Sequence, residues 1–386
     1  MAVPLLDLAA HHAPLRDSLA AAVQGVLDAN AFILGPTVAR FEEQMAAHLG
    51  VPHALGVSSG TDALVVSLLA AGIGPGDEVV TTPFSFFATA GAILRVGARP
   101  VFVDIDPRSY NIDAERVPDV TTERTRGILP VHLFGRAAPM APLLAWSRER
   151  RLTVIEDAAQ ALGTFVSDAE QGGPRPAGAV GDFGCFSFFP SKNLGAAGDG
   201  GLVVCRDAQR WERLRRLRVH GASRPHHHEE VGGNFRLDAL QAALLEVKLP
   251  HLESWVERRR ANAARYRRLF LESGLVKDGA PYPTSDHPLV LPEAAPGHSY
   301  NQFVVRAGDR DGLARHLGAR AIGHAVYYPR PLHLQPALAA LGHAAGAFPE
   351  AERAAAEVLA LPIYPELSEE QACEVVDAVV SFFGKR

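Results

Sequence analysis

The chain has 386 residues, too many for one small core, so two domains are the natural expectation. Hydrophobic residues make up 47% and charged residues 21%, the balance of an ordinary globular enzyme. A net charge of −5 is opposite in sign to that of a protein that coats nucleic acid, so no nucleic-acid partner is expected.

Cys185, Cys205 and Cys373 form no C-x-x-C pair and cannot build a disulfide framework, a usage that suits a reducing cytoplasm. The opening MAVPLLDLAAHH lacks the basic region, apolar stretch and cleavage site of a signal peptide. No run reaches the roughly 18 apolar residues that span a bilayer. A cytoplasmic chain without a membrane partner is therefore expected.

Residues 15–48 read as helical, with Leu19, Val23, Leu27, Phe41, Met45 and Leu49 at helical spacing and a break over Phe32–Pro36. From Val51 to Cys205 short β-rich segments alternate with helical ones. The strand-like pieces are Val79–Thr81, Pro100–Val103, Gly127–Val131, Thr153–Ile155, Phe183–Phe188 and Leu202–Cys205; Asp62–Ala71 and Ala141–Arg150 are helical. This alternation predicts an α/β domain with a mainly parallel sheet flanked by helices, which binds ligands at the carboxyl ends of its strands. Beyond Leu237 the spacing predicts helices over Ala239–Lys248 and Leu252 to about Ser273. A Pro/Gly-rich stretch (278–297), a strand (Gln302–Val305), a helix (Arg310–Leu317) and a strand (Ala321–Val326) follow. The domain boundary is expected near residue 255, giving a large domain (1–255) and a smaller α+β domain (256–386).

Four segments carry chemistry. Ser58-Ser59-Gly60-Thr61-Asp62-Ala63-Leu64 places small residues before a helix start, which suits either an anion site or a plain cap. Val154-Ile155-Glu156-Asp157-Ala158-Ala159-Gln160 ends an apolar strand in a carboxylate. Desolvation there is costly without a cationic partner; a protonated pyridine is one such partner, and a helix cap is the bland alternative. In Phe186-Ser187-Phe188-Phe189-Pro190-Ser191-Lys192-Asn193-Leu194-Gly195 a lysine stands among aromatic and small residues. Burial there lowers its pKa and frees an amine to attack a carbonyl; otherwise it is a surface lysine. Lys192 precedes the glycines and no Ser/Thr follows it, so this is not a nucleotide P-loop, and no G-x-G-x-x-G follows the first strand. Finally, Gly232-Gly233-Asn234-Phe235-Arg236-Leu237-Asp238 sets polar side chains between glycines, to reach a ligand or a neighbouring subunit, or to make a turn before a helix.

The order of these elements, with the aromatic patch Phe84-Ser85-Phe86-Phe87 between the first two, resembles the DegT/DnrJ/EryC1/StrS family of sugar aminotransferases. These belong to fold type I of the pyridoxal 5'-phosphate (PLP) enzymes, the aspartate aminotransferase-like fold. The similarity runs from Ile33-Leu34-Gly35-Pro36 to Leu361-Pro362-Ile363-Tyr364 and includes Gly198-Asp199-Gly200-Gly201. The resemblance implies a seven-stranded sheet and a set of roles. Lys192 would hold PLP as an internal aldimine and shuttle the proton. Asp157 would keep the pyridine nitrogen protonated, Phe86 would stack on the ring, and Gln160 would bond its phenolic oxygen. Gly60, Thr61 and Ser187 would bind the phosphate, with Asn234 reaching it from the other subunit of a homodimer. Arg236, Tyr327 and Tyr328 look placed for the substrate; Tyr327 stands where family members often have His, so that His role is not carried over.

The implied reaction moves an amino group from an amino acid, with L-glutamate the expected donor, to a nucleotide-linked keto-sugar. Overall texture leans to a 3-keto sugar, possibly UDP-linked, with a 4-keto sugar the alternative. Related sugar dehydratases carry His at the lysine position, so Lys192 argues against that chemistry. A transcriptional regulator would need a helix-turn-helix segment that the chain does not offer. His226-His227-His228 has the residues of a metal site, but adjacent side chains diverge and no metal is expected. The run Arg210-Trp211-Glu212-Arg213-Leu214-Arg215-Arg216-Leu217-Arg218 reads as a solvated helix face, from which Arg218, or else Arg224, could approach a diphosphate. Cys185 reads as a small buried strand residue.

Overall fold

A computed structural model describes residues 2–167 and 173–384. Its main sheet has seven strands: β1 (His53–Val57), β2 (Glu78–Thr81), β3 (Arg99–Phe102), β4 (Thr125–Ile128), β5 (Thr153–Asp157), β8 (Phe183–Ser187) and β9 (Gly201–Cys205). A hairpin of β6 (Phe165–Val166) and β7 (Arg175–Pro176) lies outside it. The order is β1-β9-β8-β5-β4-β2-β3. The pairings from β8 across to β3 are parallel, while β9 runs antiparallel to both β8 and β1. The mainly parallel order agrees with the reading of the alternating segments, and the strand count with what the family resemblance implies.

Both faces of this sheet are covered, which is why β5, β8 and β9 are buried along nearly their whole length. The Gly60–Ala70 helix shows the same logic: seven of its eleven residues are buried, because it packs on β8 and β9 beneath the Ala88–Arg95 and Ala208–Leu217 helices. β1 escaped the sequence reading because His-Ala-Leu-Gly-Val has a single β-branched residue; its five-residue register with β9 creates the strand. Near the N-terminus, Asn30 in a left-handed conformation closes the Arg16–Ala29 helix. Gly35-Pro36 then opens the Gly35–Leu49 helix, with proline in its first turn where no backbone donor is needed.

After a small hairpin of β10 (Ala222–Arg224) and β11 (His227–His228), a second sheet forms from β12 (Leu289–Val290), β13 (Phe303–Ala307) and β14 (Val358–Leu361). The expected strand over Ala321–Val326 is corrected here. Ile322 bridges to Val3 and Ala325 to Ala360, on different partners, so no ladder propagates. The sheet position goes to β14, which follows directly on the Pro349–Glu357 helix. The Leu252–Glu272 helix crosses between two cores. Leu252, Trp255 and Val256 pack under the large sheet; Ala263, Tyr266 and Phe270 pack with β13, β14 and Val3. Asp104, beyond β3, accepts hydrogen bonds from Glu350 N and Ala351 N, both 2.9 Å, and so caps the Pro349–Glu357 helix across the two layers.

Candidate active site

Parallel neighbours end at one sheet edge, so β5 and β8 bring Asp157 and Ser187 to the same side. Asp157 is 6% exposed. One carboxylate oxygen accepts from Thr89 Oγ1 at 2.8 Å and the other from Ala159 N at 3.2 Å. Burial pushes its carboxyl above the usual range, against those two bonds and the charge of Lys192. Such a group lacks a strong cationic partner.

Lys192 sits half-buried on the loop joining β8 to β9. Lys192 N donates to Phe189 O (2.9 Å) and Ala196 N to Phe188 O (2.7 Å). The loop is tight enough that a Cβ at Gly195 would lie 2.4 Å from Pro190 O. Burial lowers the Lys192 amine to about 8, against the opposing pull of Asp157.

Opposite Ser187 stands the N-terminus of the Gly60–Ala70 helix. Ser59 caps it, taking Asp62 N at 3.0 Å on its side chain and Ala63 N at 2.9 Å on its carbonyl. The amides of Gly60 and Thr61 have no acceptor among the described residues, which leaves an anion site at the positive end of the helix. Any side chain at Gly60 would collide with Ser187, its Cβ lying 2.7 Å from Ser187 Cβ.

Gln160 and the Tyr327–Tyr328 segment form the far wall. Phe134 N donates to Gln160 Oε1 at 2.8 Å, which sets the amide orientation. Gln160 Nε2 then donates to Tyr328 Oη at 3.1 Å and keeps one hydrogen in hand. The Tyr328 ring lies 6.3 Å from that of Phe86, which is 60% exposed. Tyr327, half-buried, has its ring 5.9 Å from that of Tyr328. Burial raises the Tyr328 phenol far above its ordinary value, so it stays protonated.

Asn234 and Arg236 lie on a segment that runs alongside the residues preceding the Gly60–Ala70 helix. Their segment bridges Val219 and Val57, and Phe235 O accepts from Ser58 N at 3.1 Å. Asn234 is exposed, and Arg236 Nε is buried without a hydrogen-bond partner among the described residues. Arg218 is a correction. It is buried, donating to Glu42 at 2.5 Å and to Gly56 O at 3.2 Å, and so cannot serve a diphosphate. The rest of the basic run is ion-paired rather than simply solvated: Arg213 meets Glu230 at 2.9 Å, and Arg210 meets Asp182. His227 and His228 form β11, with His228 Nδ1 2.9 Å from His220 O. Cys185 is buried, its sulfur 3.3 Å from Ser67 Oγ.

Two features had not been read from the sequence. Thr89 is one; the only hint is Ser85 four residues earlier, whose hydroxyl lies 2.8 Å from Thr89 Oγ1. The other is a fully buried pair, His132 Nε2 to Glu156 at 2.8 Å. Ala138 N donates to His132 Nδ1, so the neutral ring carries its hydrogen on Nε2. Burial alone would raise Glu156, but bonds from His132, Gly181 and Gly178 outweigh it and hold the carboxyl below its usual range. His132 N in turn donates to Asp157 O at 3.0 Å, bracing the strand end.

A buried carboxylate in want of a cation, free helix amides beside a serine, an exposed aromatic ring and an amine titrating near neutrality together fit a phosphorylated pyridine aldehyde. The sequence pattern of the DegT/DnrJ/EryC1/StrS aminotransferase family spans residues 15–380. The chain belongs to that family. It is 44% identical over 381 residues to a UDP-N-acetyl-3-dehydro-α-D-glucosamine 3-aminotransferase of Acidithiobacillus ferrooxidans, covering 98% of this chain and 97% of the relative. It is also 45% identical over 385 residues to a pleiotropic regulatory protein of Geobacillus stearothermophilus, covering 99% of each. The crystal structure of S. venezuelae DesV in complex with a ketimine intermediate superposes with a TM-score of 0.92 at 41% identity, covering 100% of this chain and 99% of that one. Like other DegT/DnrJ/EryC1/StrS members, this chain is a PLP-dependent aminotransferase of fold type I. Among its described residues no helix is long and apolar enough to cross a membrane.

Proposed function

We propose that this cytoplasmic enzyme transfers the amino group of L-glutamate to the 3-keto group of a nucleotide-linked sugar. The observation that carries the reaction type is the meeting, at one sheet edge, of a buried Asp157 and a Lys192 amine near 8. The substrate class rests on the Acidithiobacillus relative, named for a UDP-linked 3-dehydro sugar.

When bound, PLP supplies an electron sink for the charge left on the donor carbon. Lys192 Nζ would hold the cofactor covalently and, once the donor's amino group has displaced it, would be the free amine that carries the proton taken from the donor Cα. Asp157 holds the proton on the pyridine nitrogen, and Thr89 keeps the carboxylate aimed. Gly60 N, Thr61 N and Ser187 Oγ would hold the phosphate, Phe86 would cover the ring, and the spare hydrogen of Gln160 Nε2 would be the one offered to the phenolic oxygen. Tyr327, Tyr328 and Arg236 contact the sugar nucleotide. We place the domain boundary near residue 255, where the long helix passes from one core to the other.

The test of substrate class is a screen of UDP- and dTDP-linked 3- and 4-keto sugars with glutamate. Mass and NMR of the product should place the new amine on C3; an amine appearing only on C4 sinks this choice.

A homodimer with shared sites completes the reading. Ile33, Phe86, Phe189 and Val231 are each more than half exposed in the single chain, and a second copy would cover them. Asn234 would then complete the partner's phosphate cradle, with Arg236 beside it. Lys192→Ala homodimers and Asn234→Ala/Arg236→Ala homodimers should each be nearly inactive. After mixing, unfolding and refolding together, half the dimers are mixed and each has one intact site of two, so activity should return to about a quarter of wild type. No recovery would mean that the loop serves its own chain.

A further inference from the structure

Lysine is scarce here: of 38 lysines and arginines only four are lysines, at 192, 248, 277 and 385. Lys248 closes the Ala239–Lys248 helix and is 2% exposed. Its ammonium donates to Gly195 O at 2.6 Å, on the loop that carries Lys192, and lies 2.9 Å from His12 Nε2. No carboxylate pairs with it among the described residues; the nearby Glu366 is engaged by His11 Nδ1 at 3.0 Å. Lys192, Lys248, His11, His12 and Arg259 all face one small cavity beneath the loop. His12, held down to about 4 by burial and by Lys248, is neutral and can accept from the ammonium. A buried cation is costly unless its hydrogens are satisfied, so these two acceptors fasten the groups that supply them.

We propose that Lys248 is a positioning residue for Lys192: it clamps the Gly195 carbonyl and, through His12, ties the Lys192 loop to the Leu8–His12 helix. The proposal rests on the reading of Lys192 as the cofactor-binding amine. The Lys248 ammonium, on the same cavity, also opposes protonation of the Lys192 nitrogen.

The experiment uses holoenzyme, as wild type, Lys248→Met, Lys248→Gln and His12→Ala. The readouts are kcat, the donor KM and the pH midpoint at which the visible absorbance of the lysine-bound cofactor changes. Borohydride reduction and peptide mapping of the wild type come first; an adduct away from Lys192 overturns the underlying reading and this inference with it. With the adduct on Lys192, both Lys248 variants should shift the midpoint upward by about one unit. Their kcat should fall about tenfold or more, with donor KM within about threefold. His12→Ala should shift both in the same direction by less. A folded Lys248→Gln enzyme with wild-type midpoint and kcat overturns the inference alone. If the Lys248 variants do not fold, a wild-type midpoint and kcat in His12→Ala overturns it.

Discussion

Lys192→Ala should lower turnover by roughly 10,000-fold or more while still binding PLP, because the proton carrier is lost but the cradle is not. The phosphate donors Gly60 N, Thr61 N and Ser187 Oγ, the Phe86 ring and the Asp157 carboxylate are untouched by the change. The variant should therefore retain cofactor through gel filtration yet release it when denatured, whereas borohydride should tie it permanently to Lys192 in the wild type. Loading should depend on pH in a direction set by the lowered amine. Only the neutral amine attacks an aldehyde, and its midpoint is about 8. The rate at which apoenzyme captures PLP should thus climb between about pH 6 and 8 and level off above. A climb continuing past pH 10 would mean an ordinary, solvated lysine. A reduced adduct mapped to another lysine would remove Lys192 from the role altogether.

What was legible in the sequence is what short-range chemistry writes. Lys192 among aromatics, Asp157 at the end of an apolar strand and a Ser-Ser-Gly-Thr helix start are local patterns, and the parallel sheet follows from alternating segments. What was not legible depends on residues far apart in the chain. Thr89 reaches Asp157 across 68 positions, Gln160 reaches Tyr328 across 168, and Lys248 reaches Gly195 across 53. Arg218 was open to misreading for the same reason: its run of arginines looks solvated until Glu42, 176 positions away, neutralises it in the interior. β1 and β14 are strands by pairing rather than propensity, while Ala321–Val326 has strand composition but partners on two different sides. The assignment of Asn234 and Arg236 to a partner's site comes from the family resemblance alone.

Asp157→Asn separates the electronic role of the carboxylate from its structural one. The local hydrogen bonds can survive the substitution. Ala159 N can still donate to the amide oxygen, and the new Nδ2 can donate to Thr89 Oγ1, whose own hydrogen turns to Ser85 Oγ 2.8 Å away. Apoenzyme stability should not suffer either. Burial raises the Asp157 carboxyl in the folded state, so its ionised form weakens the fold at pH values above its unfolded pKa. Removing that charge should leave the apoenzyme Tm at pH 7 equal to or above wild type. The holoenzyme should behave differently, because a neutral amide cannot hold the pyridinium proton. Losing one partner of a buried ion pair costs about 3–5 kcal/mol, which corresponds to roughly 10²–10⁴-fold in rate if it is lost in the transition state. Single-turnover amination of the bound cofactor by glutamate isolates that step from sugar binding and product release. A slowed half-reaction together with an undiminished apoenzyme Tm supports the pairing, and a near-normal half-reaction rules it out.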